Sequence, residues 1–163
     1  GVDWGMSMES VQKIEAQKPK ESGDGEILFE THLGKEPVNI RYFFDAEGKL
    51  SSARYEFTQQ YRESERYVFA YEVLQNQLIR KYGEPLQEHV ICDDSFYMDY
   101  PRRWGTGIVV GKLTKEASWR TPHMMVRHWI RALPGGNVGH MVEYSPHTTP
   151  AMEIDSTLVY NAL

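Results

Sequence analysis

Residues 62–85 read RESERYVFAYEVLQNQLIRKYGEP, and this stretch decides the fold. The apolar positions Tyr67, Ala70, Tyr71, Leu74, Leu78 and Tyr82 recur every three or four residues, the period that gathers side chains on one face of an α-helix. Arg80 and Lys81 suit a last turn, Gly83 suits the position just past it, and Pro85 cannot continue a helix. The spacing predicts one long amphipathic helix over 62–82, which needs a surface to cover.

Upstream of it the period changes to two. Ile27, Phe29 and Thr31 alternate with Leu28, Glu30 and His32, and Val38, Ile40, Tyr42 and Phe44 alternate with Asn39, Arg41 and Phe43, as in half-buried strands. A turn over 33–37 separates the two. The stretch 44–50 (FDAEGKL) is a hairpin signal, with Gly48 closing a type I turn at positive φ, and a third strand runs to about Thr58 with Ala53, Tyr55 and Phe57 inward. Ahead of the strands, Ser7 can cap a short helix that starts at Met8, carries Met8, Val11 and Ile14 on one face, and stops before Pro19. Residues 18–25 read as a loop.

Downstream, strands are expected over 88–92, 95–100, 121–133 and 138–144, the last two joined by Pro134-Gly135-Gly136-Asn137. Residues 107–113 fit a strand or a short helix, and the tail past Pro146 has a weak apolar pattern at Met152, Ile154, Leu158 and Val159. The expected fold is α+β, mainly antiparallel sheet, with the long helix and the short N-terminal helix packed on one face. A helix followed by antiparallel strands occurs twice, over 1–60 and 61–145, so one domain over 1–163 built from two similar units, with a tail over 146–163, fits the pattern.

The chain has 163 residues, 40% of them hydrophobic, enough apolar surface for one core. Its net charge of -5, with Lys and Arg spread along the sequence, argues against nucleic acid as a partner. No apolar run is long enough to span a bilayer. The single cysteine, Cys92, excludes an internal disulfide framework, and the chain opens Gly1-Val2-Asp3-Trp4, so the absence of an export signal does not argue for the cytoplasm.

Trp4-Gly5-Met6-Ser7 with Glu9 and Val11, the hairpin at 44–50, the helix exit Lys81-Tyr82-Gly83-Glu84-Pro85, the segment from Gly111-Lys112-Leu113 to Trp119, and Val142-Glu143-Tyr144 together resemble a class of small bacterial cell-envelope or secreted proteins and lipoproteins of unknown function. The opening helix is also similar, more distantly, to the BamE (SmpA/OmlA) lipoproteins and to β-lactamase-inhibitor-like helix-plus-sheet proteins, although 14–19 (IEAQKP) stands where the former have a Leu-Gly-x-Pro exit. The resemblance implies a helix-plus-sheet fold, an extracytoplasmic location (periplasmic, lipid-anchored or secreted) and another envelope protein as partner. It transfers no catalytic residue and leaves the oligomeric state open.

No constellation points to a cofactor. His123 and His128 have the spacing of helical metal ligands, but in a strand their parity puts them on opposite faces, so no metal site is expected. His89 and Cys92 differ in parity too, and Asp93 and Asp94 supply neither the positive charge nor the base that a nucleophilic thiol needs, so Cys92 reads as buried and inert beside a turn. Tyr97, Tyr100, Arg102, Arg103 and Trp104 form the densest aromatic and cationic cluster, the composition of interface hot spots, and are the expected contact surface. The sequence therefore favours a non-catalytic binding or interaction module. The alternatives are a hydrolase using Asp93, Asp94 or a histidine, and a carrier with an apolar pocket between helix and sheet.

Overall fold

The computed structural model describes residues 1–147. The apolar positions expected at 152–159 lie outside these residues. In chain order the elements are α1 (Met8–Glu15), β1 (Glu21–Gly23), β2 (Glu26–Leu33), β3 (Glu36–Phe44), β4 (Leu50–Phe57), α2 (Glu65–Tyr82), β5 (Gln87–Cys92), α3 (Ser95–Met98), a 3-10 turn (Pro101–Arg103), α4 (Trp104–Val109), β6 (Leu113–Arg120), β7 (Met124–Ala132) and β8 (Val138–Pro146). The fold is α+β. The strands form one antiparallel sheet in the order β1-β2-β3-β4-β8-β7-β6-β5, so two meanders meet at the centre through their last strands.

Several elements differ from the sequence reading. Instead of one long helix over 62–82 there are several shorter ones, the longest being α2 with 18 residues. It starts at Glu65, just after Ser64, and Gly105 of α4 lies so close to that junction that a Cβ there would sit 2.3 Å from the Ser64 carbonyl oxygen. Residues 95–100 are not a strand, because Asp94 accepts from the Phe96 N–H and caps the one-turn helix α3. Strand β6 was not anticipated; its inward residues are Leu113, Lys115, Ala117 and Trp119, and a lysine and an alanine break the expected apolar alternation. Residues 107–113 divide between α4 and the start of β6, and 21–23, read as loop, form the short edge strand β1. Gly83 ends α2 at φ +82°, ψ −167°, a positive-φ region open to glycine but outside the left-handed helical well.

The strand register shows that the helices share one face of the sheet. Ile27, Tyr42, Ala53, Tyr144, Val126 and Trp119 are successive cross-strand partners and form one row. Its β2–β4 end packs with Val11 of α1, and its β8–β6 end packs with Leu74 and Leu78 of α2. A third cluster joins Tyr67 and Tyr71 of α2 to Ile108, Leu113 and Ile130. The other face carries interlocked charges: Arg41 pairs with Glu26 at 2.7 Å and Glu56 at 3.1 Å, Arg54 with Glu143 at 2.8 Å, and Arg127 with Glu116 at 2.7 Å. No helix among the described residues is long and apolar enough to cross a membrane.

The contact between α4 and the start of α2 is tight enough to test. Gly105→Ala should force the two backbones apart and lower the unfolding free energy by about 2 kcal/mol, the usual cost of overpacking. Urea unfolding of the variant checks this; an unchanged midpoint would mean that the junction has room.

Candidate functional site

Helix α2 turns its stripe of Tyr67, Tyr71, Leu74, Gln75 and Leu78 onto the sheet. The neighbouring stripe, Arg66, Phe69, Ala70, Val73 and Gln77, follows the same three-to-four spacing but faces sideways, toward the β2–β3 turn. Two apolar members of this stripe remain open: Phe69 is 68% exposed and Val73 43% exposed. Between this stripe and Leu33, Gly34, Glu36 and Phe57 runs a groove of about 450 Å³, lined also by Tyr61 and floored by the buried Leu74 and His140. Its lining is mainly apolar, with Arg66, Glu36, Gln59 and Gln77 around it.

The floor has a polar structure beneath it. His140 and Ile130 are cross-strand partners, so His140 and His128 are diagonal neighbours on the inner face. Their Nε2 atoms are 2.8 Å apart, and His128 Nδ1 is 2.8 Å from Gln75 Oε1. Where the Gln75 amide turns its oxygen to the ring, that oxygen only accepts, so His128 then carries its proton on Nδ1 and offers a bare Nε2, to which His140 Nε2–H donates. His128 stacks on Tyr71 with ring centroids 4.0 Å apart, and His140 stacks on Phe57 at 5.0 Å, so both rings are fixed in orientation.

Burial holds both rings neutral. His140 is pushed down to about 3 by desolvation, and His128 is held well below its ordinary value by desolvation and then by the neighbouring His140 and Lys115. Burial also raises Tyr71 above the range of ordinary tyrosines. Lys115 completes the seam: its side chain is buried, its Nζ lies 4.9 Å from the Tyr71 ring centre and 5.0 Å from that of Trp104, and it meets Glu72 at 3.3 Å.

The expected contact residues divide into two groups. Tyr97 and Trp104 turn inward against the Tyr67–Tyr71–Ile108 cluster, and Trp104 Nε1 donates to the Met98 carbonyl. Tyr100, Arg102 and Arg103 stay exposed, and the Arg103 guanidinium stacks over Phe96 at 4.0 Å and Tyr100 at 4.9 Å. Cys92 is half-buried rather than buried, because it sits on the edge strand, and its Sγ donates to the Asp94 carbonyl. His123 lies in the turn before β7, away from the parity question. Among the described residues no group of three or more His, Cys, Asp or Glu side chains could hold a metal ion.

The sequence reading missed Gln75 and the His128–His140 pair. The signal was there: the Pro134–Asn137 turn fixes the β7–β8 register, and that register places the two histidines on one face. No family model, curated protein or solved structure matches the chain.

The neutral pair has a pH consequence. An unfolded histidine takes up its proton near pH 6.5 and the folded rings only far below it, so the stability they support is complete above about pH 6.5 and is lost as the pH falls toward 3. Each ring contributes a slope of up to about 1.4 kcal/mol per pH unit. Urea unfolding at pH 7, 6 and 5 should show this decline, and His140→Phe should flatten it by about one proton's worth; an unaltered slope would show that His140 is hydrated in the folded protein.

Proposed function

We propose that this protein is a non-catalytic binding module whose site is the groove beside α2, and that the groove takes a small apolar ligand. The observation that carries the reading is the exposure of Phe69 and Val73 along a concave, mainly apolar surface of about 450 Å³, within the size range of small-molecule sites. Packing among the described residues leaves these side chains open, and that exposure has a cost that a bound ligand would remove.

The alternatives have less support. Among the described residues no serine, threonine or cysteine lines the groove, and its histidine is neutral with a strongly lowered proton affinity, so a hydrolase there would lack a hydroxyl or thiol nucleophile and a histidine base. The patch of Phe96 and Met98 on α3 with Tyr100 just after it is exposed, but Arg103 already stacks over two of its rings. A place in the bacterial envelope, outside the cytoplasm, is proposed on the resemblance alone. The two halves are proposed as versions of one unit, since each opens with a helix and ends on the strand at the sheet centre.

Titration with N-phenyl-1-naphthylamine should give saturable, one-to-one fluorescence enhancement. Val73→Glu, which places a charge on the groove wall, should weaken it about tenfold or more while leaving the unfolding midpoint unchanged. Absence of saturable binding, or binding indifferent to Val73, would refute the groove as the site.

A further inference from the structure

The hydrogen-bond chain beneath the groove has a direction, and it ends at a ligand-facing atom. Gln75 Oε1 accepts from His128 Nδ1–H, and His128 Nε2 accepts from His140 Nε2–H, so His140 Nδ1 is left as a bare acceptor. Among the described residues that atom has no hydrogen-bond partner, yet the unpartnered buried side-chain atoms are Tyr71 Oη and Gln75 Nε2 only. His140 Nδ1 is therefore not fully buried, and His140 lines the groove. Stacking on Phe57 fixes the direction in which its lone pair points.

The groove's outer end has the complementary feature. Arg66 lines it, stacks over the Tyr61 ring at 5.0 Å, and makes no ion pair among the described residues. A guanidinium held flat on an aromatic ring is ready to receive a carboxylate. The floor cannot take that charge: a carboxylate there would be desolvated and would face a lone pair instead of a proton.

We propose that the groove selects an aromatic or alicyclic acid carrying a hydroxyl or N–H at its buried end, with His140 Nδ1 accepting from that donor and Arg66 holding the carboxylate at the rim. This rests on the reading of the groove as the binding site and adds the chemical class of its ligand. A purely apolar molecule would leave the acceptor dry and unpaired, whereas a donor of the right length satisfies it, so the site distinguishes a hydroxyl from a methyl group of the same shape.

The test uses the full chain and a matched pair of probes, 4′-hydroxybiphenyl-4-carboxylate and 4′-methylbiphenyl-4-carboxylate, with affinities measured by calorimetry. The hydroxyl probe should bind about tenfold tighter or better, the cost of an unpaired buried acceptor. His140→Phe, which keeps an aromatic ring against Phe57, should bring the two probes to equal affinity, and Arg66→Ala should weaken both by a similar factor. Equal affinities in the unaltered protein overturn the proposal without recourse to any variant, so a misfolded His140→Phe protein would not protect it. If neither acid binds while N-phenyl-1-naphthylamine still does, the ligand class is wrong and the groove stands. If that amine also fails, both readings fall.

Discussion

The structure depends on one buried polar contact, the line from Gln75 through His128 to His140 between α2 and the two strands at the end of the chain's β-meander. Apolar packing alone would let a helix rotate or slide over a sheet with little penalty. A glutamine and two imidazoles removed from water must find each other, since each unmade bond costs about 1–3 kcal/mol. Gln75 can reach His128 at one rotation of α2, with Tyr71 one turn earlier stacked on the same imidazole. That rotation turns Phe69 and Val73 sideways and so produces the groove. Fold and candidate site thus share one cause.

Charge divides the labour between the two faces of the sheet. The helix-bearing face keeps its titratable groups neutral or paired, with the histidines uncharged and Lys115 held between aromatic rings and Glu72. The opposite face is built from cross-linked Arg and Glu, in which Arg41, Arg54 and Arg127 each meet a glutamate. Such a surface satisfies its own charges. The guanidinium of Arg66, which lines the groove and makes no ion pair among the described residues, is set apart from that pattern.

Much of the architecture was legible in the sequence, and the failures have physical reasons. The first three long strands and the short first helix are read correctly because their apolar periods are regular and their turns carry Gly and Pro. β6 escaped because Lys115, an inward residue, looks like a surface residue until Tyr71 and Trp104 are known to flank it. The segment 95–100 alternates well enough for a strand, but a single cap at Asp94 makes it helical. Trp104 and Tyr97, read as contact residues, lie partly buried against the Tyr67–Tyr71–Ile108 cluster. The groove was harder still: it is formed by side chains from β2, β3, β4, α2 and β8, and nothing in their linear order joins them. The histidine pair was nearer to hand, since the hairpin turn that sets its register was recognised.

The central claim is that the His128–His140 pair is neutral and points its hydrogen bonds one way, leaving an acceptor toward the groove. Long-range proton–nitrogen correlation of the imidazole rings at neutral pH tests it most directly, because it reports which nitrogen of each ring bears the proton. The account predicts His128 protonated on Nδ1 and His140 protonated on Nε2. A doubly protonated ring, or the reverse pair of tautomers with His140 protonated on Nδ1, would contradict it.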